Sequence, residues 1–155
     1  MRLPAPRFEI SRERLLAGLR RSFSFDDAPI AIPSLWAEFA ALRRLPLVGP
    51  RVAYGVICAA DAKAGVMEYM AAGEVANFAR LSSRVDRLVL PAARYAVFAH
   101  RGHARTLRET WDQIMVEWAP ECGLEFADTP DFERYDENFD PLRPGGVEIW
   151  VPIEG

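Results

Sequence analysis

Carboxylates and aromatic rings alternate in the two segments that close the chain. Glu133, Tyr135 and Glu137 are spaced two residues apart, and Glu148 and Trp150 repeat this spacing further on. In a strand, such spacing places side chains on one face. Rings attract a flat organic cation through their π-electrons, and a partly desolvated carboxylate supplies the opposite charge. The pattern therefore indicates a binding face for a cationic aromatic molecule.

The last segment also predicts on which face of the sheet the binding residues would lie. Its aliphatic side chains alternate with Glu148 and Trp150 and are expected to pack on helices. The expectation is that Glu133 and Tyr135 share the other face with Glu148 and Trp150. The aliphatic residues are Val147, Ile149, Val151 and Ile153.

The same residues also have a purely structural interpretation. An acid that alternates with aliphatic residues on a terminal strand is commonly a solvated edge residue. Trp36, Trp111 and Trp118 lie at positions typical of the buried side of a helix, where a tryptophan is first of all a core residue. Spacing alone leaves both interpretations open.

Other familiar chemistries lack their residues. His100 and His103 have no third ligand clustered with them, so no metal site is predicted. Cys58 and Cys122 lack metal-type spacing and are expected to be reduced, structural thiols. The sequence contains no Gly-rich phosphate loop, no HExxH motif and no G-x-S-x-G motif. No cofactor is therefore expected.

Hydrophobic periodicity and turn residues predict a β-α-β-β order that occurs twice. The second helix is predicted to begin at a capping box formed by Thr106 and Glu109. Residues 1–13 are expected to form an arm, and residues 77–90 a connector. The predicted elements are strand 14–25, helix 34–45 and strands 52–59 and 66–75, then strand 94–100, helix 106–118 and strands 132–138 and 147–153.

The repeated order predicts an α+β fold built by internal duplication. Its halves would be residues 14–76 and 92–155, approximately, within one ligand-binding domain spanning 14–155. Two βαββ units related by a pseudo-twofold axis would leave a hydrophobic cleft between them. Such an internal interface is a common place for a small-molecule site.

Composition restricts the partners. The 155 residues carry a formal net charge of −3, with one lysine and scattered arginines, which disfavours direct nucleic-acid binding. No apolar run approaches the length of a membrane span, and the N-terminus does not resemble a signal peptide. A cytoplasmic location without membrane contact is expected.

Motifs in a fixed order cover nearly the whole chain from about Arg14. They are Pro33-Ser34-Leu35-Trp36, Tyr54-Gly55-Val56, Leu90-Pro91-Ala92-Ala93, Tyr95-Ala96-Val97-Phe98, the helix from Trp111 to Trp118, Pro130-Asp131-Phe132-Glu133-Arg134-Tyr135 and Val147-Glu148-Ile149-Trp150-Val151-Pro152-Ile153. This succession resembles the GyrI-like small-molecule-binding domains, also called AraC-type effector-binding domains. The second half carries most of the resemblance.

The resemblance implies a duplicated βαββ fold with a hydrophobic cleft on the pseudo-twofold axis. It also implies that Glu133, on the penultimate strand, helps to hold cationic aromatic drugs. The same resemblance supports a ligand-binding role for Trp111 and Tyr135. Glu148 also fits the pattern at the end of the family's sequences, where it can have a structural role. The complete set of candidate ligand-binding residues is Glu133, Tyr135, Trp111, Trp150, Glu148, Tyr54, Tyr69 and Trp36.

Members of this family are fused to DNA-binding regions of transcription regulators, act as stand-alone proteins that sequester toxic compounds or protect DNA gyrase, or hydrolyse reactive compounds. Three functions therefore stay open for this chain. A sensor or sequestering protein that binds lipophilic aromatic cations is the first expectation. A hydrolase of reactive cyclopropane-type compounds, with Glu133 as general base, is the second. An inhibitor-like protein that acts on DNA gyrase is the third. Residues 1–13 are too few for a helix-turn-helix, so a transcription regulator is expected as a partner rather than as this chain itself.

Overall fold

Eight strands form a single antiparallel sheet in the computed structural model, which describes residues 3–155. They are β1 (Arg7–Ser11), β2 (Arg14–Ser24), β3 (Ala53–Asp61), β4 (Val66–Val75), β5 (Asp86–Leu90), β6 (Ala93–His100), β7 (Asp131–Tyr135) and β8 (Val147–Ile153). Their order across the sheet is β1-β6-β8-β7-β3-β4-β2-β5. The predicted bounds of β4 and β8 are confirmed.

Two helical connections lie against the sheet. Helix α1 (Ala28–Ala40) joins β2 to β3. The connection from β6 to β7 is helical from residue 104 to residue 121. It comprises a 3₁₀ turn (Ala104–Thr106), α2 (Leu107–Asp112), a π-helical turn (Gln113–Trp118) and α3 (Ala119–Glu121). None of the helices within residues 3–155 is long and apolar enough to cross a membrane.

The sheet order is symmetric about its central pair, β7 and β3. Moving outward from the centre, β8 and β4 come first, then β6 and β2, and β1 and β5 form the two edges. Strand β2 is followed by α1, β3 and β4, and β6 is followed by the helical connection, β7 and β8. The α+β class predicted from the sequence is confirmed.

The two faces of the sheet bury different sets of side chains, because successive residues of a strand point to opposite faces. On the helix side, Leu35 of α1 packs with Tyr69 and Ala71, while Ile114 packs with Phe98 and Ile149. The opposite side buries a separate aromatic and aliphatic cluster. It consists of Leu16, Tyr54, Val56, Met70, Ala72, Leu90, Tyr95, Val97, Phe132 and Trp150.

Two short edge strands were missed by the sequence prediction. The expected arm at residues 1–13 contains β1, in which Phe8 pairs with Ala96 of β6. The expected connector at residues 77–90 contains β5, in which Val89 pairs with Leu15 of β2. Both strands are five residues long and largely exposed, so their sequences lack a strong hydrophobic pattern.

The bounds and caps of the helices also differ from prediction. Helix α1 begins five residues or more before the predicted start, because Pro29 rather than Pro33 occupies the first turn, where a missing N–H is harmless. The capping box is absent. The Thr106 hydroxyl donates instead to the carbonyl oxygen of His103 at 2.9 Å, and the helical connection begins with a 3₁₀ turn at Ala104.

Candidate functional site

Glu133 is a buried acid at the centre of the sheet. It lies on β7, opposite Gly55 of β3, with only 7% of its surface exposed. Its other register partner is Ile149 of β8, whose side chain packs on the helix side. Glu133 therefore faces the helices, between α1, which packs on β2 and β4, and α2, which packs over β6 and β8.

Three side chains donate hydrogen bonds to the Glu133 carboxylate. The hydroxyls of Tyr69 and Tyr135 donate to Oε1 at 2.9 and 2.8 Å. The indole Nε1 of Trp111 donates to Oε2 at 2.8 Å. The indole of Trp36 on α1 extends this network, because its Nε1 donates to the Tyr69 hydroxyl at 3.0 Å.

These four aromatic residues form what we call the cage: Trp36, Tyr69, Trp111 and Tyr135. The ring centroids of Trp36 and Tyr135 are 5.3 Å apart in an edge-to-face contact, and those of Trp36 and Tyr69 are 6.4 Å apart. Tyr69 is fully buried, and the other three are partly buried. One tryptophan comes from each helical connection, so both halves of the chain contribute to the surroundings of one carboxylate.

Glu133 has no ion-pair partner among residues 3–155. Burial raises the pKa of its carboxyl group, and the hydrogen bonds from Trp111, Tyr135 and Tyr69 oppose this rise. Burial, together with the nearby Glu133 charge, raises the pKa of the Tyr69 and Tyr135 hydroxyls well above the usual value. Both tyrosines therefore stay protonated donors.

A second acid, Asp131, lies two residues before Glu133 on the same face of β7. Its register partner in β3 is Ile57, which packs beneath α1. Burial raises the pKa of Asp131 to about 6, and the neighbouring Glu133 charge adds to this rise. Sequence reasoning did not select Asp131, although its alternation with Glu133 was a signal that could have found it.

Gly55 was also missed as a site residue. A Cβ atom built on it would lie 2.1 Å from the Tyr69 hydroxyl oxygen and 2.6 Å from Oε1 of Glu133. A glycine in the middle of a strand often marks a close approach of another group. Here that group is the hydrogen-bonded pair of Tyr69 and Glu133.

Of the eight residues selected from the sequence, five come together: Glu133 and the four members of the cage. Tyr54, Glu148 and Trp150 lie on the opposite side of the sheet, which corrects the predicted grouping. The cause is the register, in which Trp150 stands opposite Phe132 and not opposite Glu133. Glu148 is paired with Arg7 at 2.6 Å and accepts a hydrogen bond from Trp150, so its charge is already compensated.

Glu137 also lies outside the site, because β7 ends at Tyr135. Asp136 accepts a hydrogen bond from the backbone N–H of Asn138 at 2.8 Å, which forms a turn, and Glu137 is exposed on it. The strand predicted to reach residue 138 therefore ends three residues earlier.

The remaining polar candidates have ordinary surroundings. His100 is buried, with Nδ1 2.7 Å from the Thr110 hydroxyl and Nε2 2.6 Å from the His103 carbonyl oxygen. Burial raises the pKa of Cys58 to about 11, which keeps the thiol protonated and unreactive. Within residues 3–155, no three His, Cys, Asp or Glu side chains gather where they could hold a metal ion.

The sequence matches the family described as GyrI-like small molecule binding domain over residues 4–154. It is 36% identical over 135 residues to the transcriptional regulator BrlR of Pseudomonas aeruginosa, an alignment that covers 83% of this chain and 49% of that protein. The chain thus spans about half the length of this curated relative.

Solved structures show the same fold. The structure of SAV2435 bound to tetraphenylphosphonium has a TM-score of 0.75 at 20% identity, covering 97% of this chain and 94% of that one. An integron cassette protein of Vibrio cholerae has a TM-score of 0.71 at 18% identity, with 98% and 97% covered. EcmrR in its complex with DNA has a TM-score of 0.69 at 20% identity, with 96% of this chain and 57% of that one covered.

Proposed function

The chain belongs to the GyrI-like small-molecule-binding domain family, and on this premise we propose that it binds lipophilic aromatic cations at Glu133. One observation carries the proposal: a buried carboxylate without an ion-pair partner among the described residues stands within four aromatic side chains. A carboxylate in such surroundings interacts strongly with a cation, since little water screens it.

The cage supports an aromatic ligand. Ring faces and edges contact other rings favourably, and a cation over a ring gains about 0.5–2 kcal/mol. Trp36 and Trp111 supply the largest such surfaces beside Glu133. The relative SAV2435 is known bound to tetraphenylphosphonium, a lipophilic aromatic cation, which supports the same ligand class for this chain.

Ligand entry requires the cage to open, because only 7% of Glu133 is exposed. Two surface cavities of about 320 and 190 Å³ lie elsewhere, one beside Arg12 and Glu74 and one beside Arg101 and Glu109. Neither includes a cage residue. We expect the two tryptophans to turn aside, so that the ligand replaces the indole N–H of Trp111 as the partner of the carboxylate.

The cleft is proposed to lie between two duplicated halves, at about residues 14–76 and 92–155. The symmetric sheet order about β7 and β3 supports this duplication. The supply of one cage tryptophan by each helical connection supports it as well. Glu133 would then lie close to the pseudo-twofold axis, where the halves meet.

The biological role that we propose is that of a cytoplasmic sensor or sequestering protein. BrlR is a transcriptional regulator, and EcmrR is known in complex with DNA; this chain matches only about half of each. A transcription regulator is therefore one proposed partner. DNA gyrase, the partner suggested by the resemblance, stays a prediction.

The test is Glu133→Gln, which keeps the shape of the side chain and removes its charge. Binding of tetraphenylphosphonium is expected to weaken by about ten- to hundredfold, or 1–3 kcal/mol, whereas neutral triphenylphosphine oxide should bind as before. Glu137→Gln is the matched control, because it removes an exposed charge from the turn after β7. Equal loss for both ligands, or no loss for either, would contradict the proposal.

A second candidate function is hydrolysis of a strained, cyclopropane-containing electrophile. The raised pKa of Glu133 favours it, because a general base works best when its pKa approaches the ambient pH. In that case Glu133→Gln should abolish turnover and leave binding of the electrophile largely intact. The same variant therefore separates a binder from a hydrolase when both readouts are taken.

A further inference from the structure

Asp131 is an acid on the floor of the proposed site, and it has no ion-pair partner among residues 3–155. It shares the helix-side face of β7 with Glu133, and both lie between α1 and α2 on the central pair of strands. Its register neighbour is apolar Ile57 rather than a basic residue. The acid is partly buried.

Four other acids on the sheet and on α1 each have an arginine close to the carboxylate, so their charges are compensated within the protein. These pairs are Glu148 with Arg7, Glu74 with Arg12 and Arg14, Glu68 with Arg20, and Glu38 with Arg21. Glu133 and Asp131 are side by side on one strand face, and neither has such a partner in the described part of the chain. An uncompensated acid costs stability when it is partly buried, so a pair of them on one floor points to a ligand that supplies the charge.

We propose that Asp131 is a second anionic contact of this site, and that the site selects flat aromatic ligands with two positive centres. This inference rests on the proposed function. Residues two apart on a strand are separated by ~7 Å, so the two positive centres should have a comparable separation along β7. Glu133 holds the centre that lies within the cage, and Asp131 holds the other centre beside Ile57.

The geometry favours a rigid, flat dication over two separate cations. A rigid core fixes the separation of its charges before binding, so less conformational entropy is lost when both are held. On β3, Ile57 stands opposite Asp131, so the second acid has an apolar neighbour against which one ring of the ligand can lie.

Methyl viologen and 1-methyl-4-phenylpyridinium form a matched pair of probes. Both are flat biaryls of nearly the same size. The first carries a positive nitrogen in each ring, and the second carries only one. Their affinities are measured by titration calorimetry at pH 8, where Asp131 is ionised, for the wild-type chain, Asp131→Asn, Glu133→Gln and the exposed control Glu137→Gln.

The wild-type chain is expected to prefer methyl viologen, and Asp131→Asn is expected to reduce this preference by about tenfold, the loss of one charge contact. Binding of 1-methyl-4-phenylpyridinium should change little in Asp131→Asn and weaken strongly in Glu133→Gln. Glu137→Gln should leave both affinities unchanged.

Asparagine at position 131 keeps the shape of the side chain and breaks no ion pair of the described residues, and thermal unfolding of each variant checks that it is folded. Asp131→Ser repeats the readout with a smaller side chain.

Two contrary outcomes are distinct. If the single cation binds in a Glu133-dependent way but Asp131→Asn leaves the preference for the dication unchanged, the inference is wrong and the proposed function stands. If neither probe nor tetraphenylphosphonium binds the wild-type chain, both are wrong.

Discussion

Gly55 lies directly opposite Glu133 in the pair formed by β3 and β7. The Tyr69 hydroxyl reaches Oε1 of Glu133 through the space that a side chain at position 55 would need. The hydrogen-bond network around the Glu133 carboxylate thus depends on Gly55, because a larger residue would occupy the space of the Tyr69 hydroxyl. Gly55 is in this sense a positioning residue of the site.

Gly55→Ala should displace the Tyr69 hydroxyl from Glu133. The new methyl group would lie 2.1 Å from the hydroxyl oxygen, so either the tyrosine or the strand must shift. We expect a loss of about 1–3 kcal/mol in the free energy of unfolding, typical of overpacking a core, together with weaker binding of tetraphenylphosphonium. Urea denaturation and titration calorimetry measure the two effects.

Gly73→Ala is the matched control for this substitution. Gly73 also lies within a strand, but its added Cβ would meet the flexible side chain of Leu47, at 2.6 Å, and no residue of the cage. Its effect on ligand binding should be small. The double variant Gly55→Ala with Tyr69→Phe should recover part of the lost stability, because it removes the oxygen that clashes. If it recovers none, the clash lies elsewhere.

Cation binding should become stronger as pH rises. The pKa of Glu133 is raised by burial, so the carboxylate becomes ionised at a higher pH than an ordinary glutamate, and only the ionised form attracts a cation. The affinity for tetraphenylphosphonium is expected to rise through this raised pKa and then to level off. Calorimetric titrations in a series of buffers measure the profile.

The Glu133→Gln variant is the control for this pH dependence. It lacks the titrating group and should lose the part of the profile that Glu133 causes. A profile that is identical in the variant and in the wild-type chain would show that other groups control cation binding.

Asp131 should reduce the stability of the folded chain as pH rises. Its folded pKa of about 6 exceeds the ordinary 3.8, so the folded state holds this proton more tightly than the unfolded state does. Stability is therefore lost as pH increases from about 4 to about 6, and by pH 7 the loss is on the order of 3 kcal/mol. Asp131→Asn should equal the wild-type chain near pH 3.5 and be more stable near pH 7. Urea denaturation at both pH values measures the difference; a constant difference would contradict the raised pKa.

The sequence was sufficient for the elements that have a strong hydrophobic pattern. The alternation of Val147, Ile149, Val151 and Ile153 specifies both the bounds of β8 and the side that packs on helices. The repeated order of strands and helices likewise predicted the α+β class. These features are local, and local patterns of apolar residues determine them.

The composition of the candidate site could only partly be predicted, because strand register is not visible in one strand. Alternation grouped Glu133 with Tyr135, and Glu148 with Trp150, but it could not say whether the two groups share one face of the sheet. The pairing of Glu133 with Ile149 decides this, and it results from contacts between strands. The role of Gly55 was hidden for the same reason, since its neighbour Glu133 is 78 positions away in the chain.

The Thr106 capping box was wrong for a different reason. Thr106 and Glu109 have the correct spacing, yet the chain enters the helix through a 3₁₀ turn, and the Thr106 hydroxyl turns back to the carbonyl of His103. The same carbonyl lies 2.6 Å from Nε2 of the buried His100. The contact with buried His100 fixes the position of the loop before the helical connection. A motif of neighbouring residues contains no information about this contact.

Trp111 and Trp150 were both expected in the site, and the same substitution in each should now separate their roles. Trp111 donates to Oε2 of Glu133, whereas Trp150 stacks on Phe132 on the opposite side of the sheet, with ring centroids 5.3 Å apart.

Trp111→Phe keeps an aromatic ring but loses the donor that lowers the pKa of Glu133. The pH midpoint of tetraphenylphosphonium binding should therefore move upward, so that the affinity falls on the acid side of that midpoint. Trp150→Phe should cost about 1–2 kcal/mol in the free energy of unfolding and leave both the affinity and its pH midpoint unchanged. If Trp150→Phe shifts the pH midpoint as much as Trp111→Phe does, the two faces of the sheet are not independent, and Glu133 responds to packing changes anywhere in the core.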